Sequence, residues 1–394
     1  MKSKIKTDDP TDALYMQRAM ELAHEGIGLA SPNPCVGAVV VNDNGEIVGE
    51  GTHNYEARKH AEVIALEDAG NEARDSTLYL NLEPCSHTGR TGPCADAVIA
   101  AGIRRVVAAM EDPNPLVSGR GFEKLRSAGI EVEVGPGAAE ARRLNESFAK
   151  FVKTRLPFVT LKAAMTLDGK IAPPTGYTES PSALGAASAR RGWITSEAAR
   201  QHVHQLRHES DAILVGVGTV IADDPLLTDR SGRERRRPLL RVVLDSSLRI
   251  PLQSRLAQTA KDDLIVFCLH ADCAKAQELR KRGVCVEQVD VDAHGRPDLL
   301  AVMKRLGEKE ITSVIIEGGS TVNWQAISSG IVDKVFFYYA PKLLGGSGAV
   351  PFLVGEGFNN LDDALQIRIL DLHRFDEDFA VEGYVRDPYE QKGL

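Results

Sequence analysis

The sequence predicts a two-domain α/β protein, on the evidence of its length and of its alternating apolar segments. The chain has 394 residues, more than a single hydrophobic core usually serves. Apolar runs of strand length alternate with stretches of helix length in both halves, and strands separated by helices favour largely parallel sheets covered on both faces. We place the domain boundary at the linker 155–157, which gives domains of residues 1–155 and 156–394.

In the first half, helices and strands are predicted in alternation. The turn signal Asn-Asp-Asn-Gly at 42–45 separates two strand-like runs and predicts a hairpin. Predicted helices cover residues 12–24, 61–69, 95–101, 122–127 and 138–153, the last as one long helix. Predicted strands cover residues 36–41, 46–50, 77–82, 104–110 and 130–134.

The second half repeats this alternation without an internal sequence repeat. Predicted strands cover residues 158–164, 212–217, 240–244, 264–269, 313–316 and 334–339. Predicted helices cover residues 196–207, 274–282, 299–306 and 321–328. The segment 180–189 is rich in alanine and serine, which predicts a surface loop.

Composition and charge narrow the class of protein. Hydrophobic residues are 43% and charged residues 26% of the chain, as in ordinary globular proteins. A net charge of -8 provides no overall positive field for nucleic acid, so a tRNA or DNA substrate is disfavoured. A free nucleotide-sized substrate remains compatible, because it needs only a local cluster of cations. The sequence shows neither a signal peptide nor an apolar run of about 18 residues, and its six cysteines do not indicate a disulfide framework in such a chain. We expect a cytoplasmic protein that binds no membrane.

His60, Cys85 and Cys94 are the strongest chemical signal. One imidazole and two thiolates are zinc ligands, and three protein ligands leave a fourth position open at a catalytic site. Zinc lowers the pKa of water there toward neutrality, and Glu62 lies two residues after the histidine, as in zinc-dependent base deaminases, where this carboxylate moves protons without binding the metal. Cys94 is expected to open a helix, whose N-terminus stabilises a thiolate. A structural zinc site or two unrelated cysteines are the alternatives, and Glu62 together with Pro84 favours the catalytic site.

Further motifs surround these residues: Ser-Pro-Asn-Pro-Cys-Val-Gly at 31–37, His-Ala-Glu-Val at 60–63, Glu-Pro-Cys-Ser-His at 83–87, Gly-Arg-Thr at 89–91 and Glu-Asp-Pro-Asn-Pro at 111–115. Together they resemble the bifunctional diaminohydroxyphosphoribosylaminopyrimidine deaminase/5-amino-6-(5-phosphoribosylamino)uracil reductase family of riboflavin synthesis. The resemblance implies a cytidine-deaminase-like α/β/α sandwich, with Asn33 and His53 near the substrate. Asn33 could instead cap a turn between two prolines, and His53 could be a surface histidine. Cys35 is expected to be a small core residue rather than a ligand.

In the second half, the candidate ligand sites are two glycine-containing turns, each of which follows a strand. Glu317-Gly318-Gly319 follows a buried strand and precedes a helix, so its N–H groups suit an anion such as a cofactor pyrophosphate. The segment 215–219 is a second such turn. Neither turn has the Gly-x-Gly-x-x-Gly fingerprint, so a conventional Rossmann domain is not indicated, and a tight connection without a ligand is the alternative.

Segments 161–170, 193–196, 222–228 and 340–345 resemble the reductase half of the same family, which is a dihydrofolate-reductase-like α/β domain. The resemblance implies NADPH contacts at Ala164, Trp193, Thr219, Asp223 and Gly319. It implies substrate contacts at Arg207, Leu227, Arg230 and Glu317. Guanidinium groups suit a ribose phosphate, and a solvated surface charge is the alternative for each arginine.

In hydride transfer the nicotinamide supplies the chemistry, so the protein mainly orients the cofactor and the substrate and provides charged groups near the reacting atoms. Lys162 or Asp168 is a candidate for stabilising the imine-like carbon that accepts hydride. Asp168 could instead cap the turn at Gly169. The stretch 180–191 is longer than is typical of the family, which leaves the substrate contact beside Trp193 open.

That contact falls in the neighbourhood of Arg191 or Gly192. On the following predicted helix, His202, His204 and His208 could suggest a metal, but no carboxylate completes the set. A solvated helix face is the favoured interpretation.

The sequence therefore predicts a bifunctional riboflavin-biosynthesis enzyme that uses Zn²⁺ and NADPH. Its first domain would remove the 2-amino group of a phosphoribosylaminopyrimidine by hydrolysis, and its second would reduce the ribosyl group to ribityl. We also expect a homo-oligomer. The competing hypotheses are a deaminase with a degenerate reductase half and a zinc-stabilised binding module, and the second is disfavoured because a structural zinc site needs no proton-shuttling Glu62.

Overall fold

The computed structural model describes residues 10–87, 92–174 and 193–390, and its contacts divide the chain into two compact units. The first unit is Met1–Arg155 with Glu234–Arg237, and the second is Leu156–Arg233 with Pro238–Leu394. The Gly-Arg-Thr motif at 89–91, the predicted loop 180–189 and the neighbourhood of Arg191 and Gly192 lie outside the described residues. No helix within the described ranges has the length and apolar character needed to cross a membrane.

The first unit is a five-stranded sheet with helices on both faces. Its strands are β1 (Gly37–Val41), β2 (Ile47–Thr52), β3 (Thr77–Leu80), β4 (Arg105–Ala108) and β5 (Glu131–Val134). Its helices are α1 (Pro10–Glu25), α2 (Ala61–Ala69), α3 (Cys94–Ala101), α4 (Arg120–Ser127), α5 (Ala138–Leu144) and α6 (Glu146–Thr154). The sheet order is β2-β1-β3-β4-β5, with β3, β4 and β5 parallel and β1 antiparallel to both of its neighbours.

Glycines in the first two strands let the helices approach the sheet closely. A Cβ on Gly37 would lie 2.1 Å from the Ala19 carbonyl oxygen of α1, and one on Gly51 would lie 2.2 Å from the Ala61 carbonyl oxygen of α2. Gly37 pairs with Thr52, while Gly51 pairs with the next residue, Ala38, so the two glycines face opposite sides of the sheet. The predicted α/β/α sandwich is confirmed.

The predicted hairpin is present, but the predicted single helix over 138–153 is wrong. In the hairpin, the Asn42 side-chain oxygen accepts hydrogen bonds from the Asn44 and Glu46 N–H groups. The long helix is divided at Asn145, which has φ -109°. The Asn145 side chain accepts from the Cys35 N–H and donates to the Cys35 carbonyl. This tertiary contact replaces the helical continuation that the local pattern favoured.

The second unit is built on a nine-stranded sheet. Its strands are β6 (Phe158–Thr166), β7 (Lys170–Ala172), β8 (Ala212–Gly216), β9 (Leu240–Leu244), β10 (Leu264–Cys268), β11 (Val284–Gln288), β12 (Ser313–Ile316), β13 (Lys334–Ala340), β14 (Val350–Pro351), β15 (Arg368–Phe375) and β16 (Asp378–Tyr384). Its helices are α7 (Glu197–Glu209), α8 (Val217–Asp223), α9 (Arg255–Gln258), α10 (Ala274–Lys281), α11 (Leu299–Glu308) and α12 (Ser320–Ser328). The order of the large sheet is β11-β10-β9-β8-β12-β6-β13-β16-β15, and β7 pairs separately with β14.

The strands from β11 to β13 are parallel, whereas β16 and β15 add an antiparallel edge. The carboxyl ends of β8, β12 and β6 therefore meet at one side of the sheet, where α/β folds bind their ligands. Strands β7, β11, β14, β15 and β16 were not predicted. Strand β15 has mostly exposed side chains, so it carries no buried apolar run for the sequence to reveal.

Candidate metal centre and reductase site

His60, Cys85 and Cys94 come together at the amino ends of two helices. His60 occupies the N-cap position of α2, and Cys94 is the first residue of α3. His60 Nδ1 is 3.1 Å from Cys94 Sγ and 3.6 Å from Cys85 Sγ, and the ligand atoms of the three residues all lie within 4.8 Å of one another. The bond from Ala95 N–H to the Cys85 carbonyl, 3.1 Å long, brings the strand-end loop to the start of α3.

The Cys94 thiol is hydrogen-bonded to Cys85 and holds its proton more firmly than a free thiol. The hydrogen bond with Cys94 and the His60 ring together outweigh burial and lower the pKa of Cys85. The bond to Cys85 and burial raise the pKa of Cys94. Once that proton has left, the cluster offers two thiolates and one imidazole nitrogen, a donor set and spacing that fit Zn²⁺ with an open fourth position.

Glu62 lies in the first turn of α2 beside this cluster. Its side chain is 4% exposed, and burial is the main reason that its pKa is raised. A carboxyl group with a raised pKa binds a proton more readily than an ordinary carboxylate, as a proton shuttle requires.

Asn33 and His53 lie against the same cluster. The Asn33 side-chain nitrogen is 3.0 Å from His53 Nε2, and His53 Nδ1 donates to the Lys59 carbonyl at 2.9 Å. Burial lowers the pKa of His53, which keeps the ring neutral, and its edge meets the His60 ring with a centroid distance of 5.4 Å. His53 is 3% exposed, so the surface-histidine alternative is wrong. Cys35 lies outside the candidate ligand set.

In the second unit, Glu317 forms a buried ion-pair cluster at the carboxyl end of β12. It accepts from Arg207 Nε at 2.6 Å, from Arg207 Nη2 at 3.1 Å and from Lys162 Nζ at 3.2 Å. The three side chains are between 11% and 15% exposed. Burial alone would raise the pKa of Glu317, but the charges of Lys162 and Arg207 outweigh it and hold the pKa at about 2. The interpretation of Arg207 as a solvated surface charge is therefore wrong.

Three of the predicted cofactor contacts, Ala164, Thr219 and Gly319, lie at or just beyond the carboxyl ends of β6, β8 and β12. Gly319 precedes α12, and a Cβ on Gly319 would lie 3.9 Å from the hydroxyl oxygen of Thr219 in α8. Asp223 is the last residue of α8 and is exposed. Ala164 lies in β6, two residues after Lys162. Trp193 is 59% exposed, and its ring stacks under the Arg200 guanidinium at 4.9 Å.

The other predicted substrate contacts, Leu227 and Arg230, lie on the loop that follows α8. Leu227 is buried in the core, whereas Arg230 is exposed. Between them, the Asp229 carboxylate is 2.8 Å from His208 Nδ1, and both of these side chains are buried. This pair anchors the loop to α7.

The interpretation of the three α7 histidines as a solvated face is wrong. His202 Nδ1 bonds to the Tyr338 hydroxyl at 2.6 Å, and its ring packs against Phe375 with centroids 4.8 Å apart. His208 pairs with Asp229 as described, and the Nδ1 atom of His204 is also buried. The helix turns this face toward the sheet and the loop, which the polar composition of the helix did not reveal.

Asp168 acts as a turn cap. The Thr166 hydroxyl donates to it at 2.6 Å, and the N–H groups of Leu344 and Gly345 donate at 3.0 Å and 2.7 Å. These bonds, led by that of Thr166, lower its pKa to about 2. Because Asp168 is ionised and held in the turn, Lys162 is the remaining candidate of the two.

Comparisons with known proteins match both units. Residues 9–110 match the model of the cytidine and deoxycytidylate deaminase zinc-binding region, and residues 157–381 match that of the RibD C-terminal domain. A metal-dependent deaminase joined to a reductase is the class of protein that this fold and these sites define.

Similarity to whole proteins extends along nearly the entire chain. The riboflavin biosynthesis protein RibD of Actinobacillus pleuropneumoniae is 42% identical, covering 96% of each chain, and that of Escherichia coli is 40% identical, covering 94% of this chain and 98% of its own. The structure of Acinetobacter baumannii RibD superposes with a TM-score of 0.79 at 36% identity, covering 95% and 99%. A Thermotoga maritima diaminohydroxyphosphoribosylaminopyrimidine deaminase/5-amino-6-(5-phosphoribosylamino)uracil reductase superposes with a TM-score of 0.78 at 35% identity, with the same coverage.

The chain belongs to the RibD family of bifunctional deaminase/reductases of riboflavin biosynthesis. It is an enzyme with both activities, and its cofactors are Zn²⁺ and NADPH. The predicted function and cofactors are thereby confirmed, and the binding-module hypothesis is wrong.

Proposed function

We propose that residues 1–155 deaminate 2,5-diamino-6-(5-phosphoribosylamino)pyrimidin-4(3H)-one, and that residues 156–394 reduce the resulting 5-amino-6-(5-phosphoribosylamino)uracil to its ribityl form. The main observation in favour of the deaminase activity is the cluster of His60, Cys85 and Cys94, whose ligand atoms all lie within 4.8 Å of one another. The second half is supported by the buried cluster around Glu317 at the carboxyl edge of the sheet.

In the deaminase, His60, Cys85 and Cys94 would hold Zn²⁺, which supplies the Lewis acid that activates water. Glu62 accepts the proton that water gives up as it adds to C2 of the pyrimidinone, and delivers it to the ring nitrogen. The same carboxyl group then takes the proton of the new C2 hydroxyl group and passes it to the 2-amino group, which leaves as ammonia while C2 becomes a carbonyl carbon. Asn33 and the neutral His53 ring line the site on the side of His60 and orient the substrate.

In the reductase, NADPH supplies hydride to C1′ of the ring-opened ribosyl imine. We assign the cofactor contacts to Ala164, Trp193, Thr219, Asp223 and Gly319. Arg207, Leu227, Arg230 and Glu317 form the substrate side. Lys162 donates the proton that balances the hydride at the imine nitrogen, because its ammonium group is held by Glu317 at the edge where cofactor and substrate would meet.

A coupled assay, with zinc quantified in the same sample, tests the deaminase assignment. Glu62→Gln should abolish ammonia release while about one equivalent of zinc stays bound, because Glu62 shuttles protons without binding the metal. The same variant should still reduce the aminouracil intermediate at the wild-type rate. Glu67→Gln is the matched control, since Glu67 lies on the same helix, is exposed and pairs with Lys59. Ammonia release that survived Glu62→Gln would contradict the mechanism.

Lys162→Met tests the reductase assignment in the same chain. NADPH oxidation with the aminouracil intermediate should fall by about 100-fold or more, the usual contribution of a positioned acid, while ammonia release stays normal. Lys304→Met, in α11 and exposed, is the control. A wild type that releases ammonia without oxidising NADPH would instead support the degenerate-reductase hypothesis.

We also propose that the chain forms a homo-oligomer through β15. This strand is the outer edge of the nine-stranded sheet, and Ile369, Leu370 and Leu372 on it are 64%, 58% and 75% exposed. An edge strand with exposed apolar side chains is a template for pairing with another chain. An apolar cavity of about 360 Å³, with Ile367 in its wall, adjoins the start of the strand.

Light scattering after gel filtration measures this association. Leu372→Lys should shift the wild-type oligomer toward monomer, whereas Leu14→Lys, on the exposed face of α1, should not. A monomeric wild type would refute the proposal.

We further propose that the enzyme acts in the cytoplasm on a free small-molecule substrate, without nucleic acid or a membrane. The net charge of -8 supports this, because it opposes binding to polyanions and to anionic lipid surfaces. Electrophoretic mobility of a labelled tRNA and sedimentation with anionic vesicles test it, and a salt-sensitive shift in either would contradict it.

A further inference from the structure

Glu83 is a buried carboxylate that the deaminase mechanism above does not use. It lies between the end of β3 and the ligand Cys85, and its side chain is 2% exposed. Oε2 accepts the N–H groups of Asp112 at 3.1 Å and of Gly119 at 2.9 Å. Oε1 accepts those of Gly121 at 2.7 Å and of Phe122 at 3.3 Å. One carboxylate therefore gathers four backbone donors from a single stretch of chain.

That stretch, which we call the 112–122 segment, follows β4 and ends in the first turn of α4. Its first residue, Asp112, is 7% exposed, and burial, together with the nearby charges of Glu83, Cys85 and Glu62, raises the pKa of Asp112 to about 7. Near its other end, a Cβ on Gly121 would lie 2.1 Å from the Pro84 carbonyl oxygen. The segment is thus pressed against the residues that precede Cys85, at a distance that only glycine permits.

The carboxylate of Glu83 can accept all four N–H groups, whereas the amide of a glutamine at this position could not. Each carboxylate oxygen accepts two N–H groups here, whereas a glutamine of the same shape keeps one acceptor and turns an NH₂ group toward the other two donors. Those two buried N–H groups would then lose a charge-assisted partner. The three ligands and Glu62 lie on α2, on α3 and at the loop end, and the four bonds of the Glu83 carboxylate go to none of them.

We propose that Glu83 is a positioning residue of the deaminase, which holds the 112–122 segment as a fixed wall of the pocket beside Glu62. The segment lies against Pro84, the residue before the ligand Cys85, and so would border the bound pyrimidine. The four bonds of Glu83 reach neither the metal ligands nor the proton shuttle. If the 112–122 segment is loosened, substrate binding therefore weakens, which raises KM, while the chemical step, measured by kcat, changes less.

Glu83→Gln in the full-length, zinc-loaded enzyme is the test. We expect kcat/KM for ammonia release to fall roughly 10- to 100-fold, the effect of two unmade buried hydrogen bonds, with most of the change in KM. Zinc should stay at the wild-type stoichiometry, and reduction of the aminouracil intermediate by the same protein should be unchanged. Glu123→Gln is the matched control, because Glu123 is exposed in the first turn of α4.

Gly121→Ala provides a second route to the same segment. Its Cβ would lie 2.1 Å from the Pro84 carbonyl oxygen and 3.0 Å from Glu83 Oε1, so it displaces the segment while the negative charge of Glu83 is kept. It should reproduce the rise in KM with zinc retained. An unchanged kcat/KM for Glu83→Gln would overturn the proposal, because Glu83 would then not position the substrate. A fall in kcat at constant KM would also overturn it, because Glu83 would then act on the chemical step. Loss of zinc or of folding in both variants would overturn it as well, because Glu83 would then serve the metal site or the fold as a whole.

Discussion

Glu317→Gln removes the negative charge that Lys162 and Arg207 share in their buried cluster. The substitution preserves shape, so its effect isolates the charge. Two cations would remain more than four-fifths buried beside a neutral amide. Breaking a buried ion pair by removing one partner is strongly destabilising for this reason.

The pKa of Glu317 sets the magnitude. The folded value of about 2 lies below the ordinary 4.5, and each pH unit between them corresponds to about 1.4 kcal/mol, so ionised Glu317 contributes roughly 3 kcal/mol to the free energy of unfolding. Because the folded pKa is depressed, this contribution is fully present above pH 4.5 and is lost as the pH falls toward 2. At pH 3 about half of it should remain.

Denaturant unfolding followed by tryptophan fluorescence measures the loss of stability in the second structural unit, which contains Glu317. The chain has two tryptophans, Trp193 and Trp324, and both belong to the second unit. Glu317→Gln should lower the free energy of unfolding by about 3 kcal/mol at pH 7 and by distinctly less at pH 3. Glu308→Gln, which breaks an exposed pair with Arg305, should cost less than about 1 kcal/mol. Equal losses for Glu317→Gln at both pH values would refute the electrostatic reasoning.

Three further substitutions have defined outcomes. Cys94→Ser should remove most of the bound zinc and all ammonia release while NADPH oxidation persists, and retention of a full equivalent of metal would contradict the ligand set. Gly37→Ala should destabilise the first unit by about 1–3 kcal/mol through overpacking, because its Cβ would lie 2.1 Å from the Ala19 carbonyl oxygen; a rise in the far-UV melting temperature would show the contact to be looser. Asp229→Asn weakens the bond with His208 and should raise the reductase KM for substrate with little change in kcat, whereas a loss confined to NADPH affinity would assign the loop to the cofactor.

Local properties of the sequence were sufficient to predict a candidate metal site and most of the alternating fold. His60, Cys85 and Cys94, which the structure brings together, could be proposed as ligands, and Glu62 as the proton shuttle, because ligand type, spacing and helix starts are local features of the sequence. The apolar runs of β1 and β8 predicted strands because each strand is buried along its whole length on both faces, so every position along it must be apolar.

Only the tertiary structure decided which polar side chains find partners far along the chain. It showed that Asn145 divides a helix by bonding to Cys35, that Asp168 caps a turn by bonding to Gly345, and that His202 bonds to the Tyr338 hydroxyl. It also revealed the gathering of four N–H groups by Glu83. Such contacts have no period and no fixed spacing, because a buried polar group must satisfy its hydrogen bonds with whatever the fold brings near it.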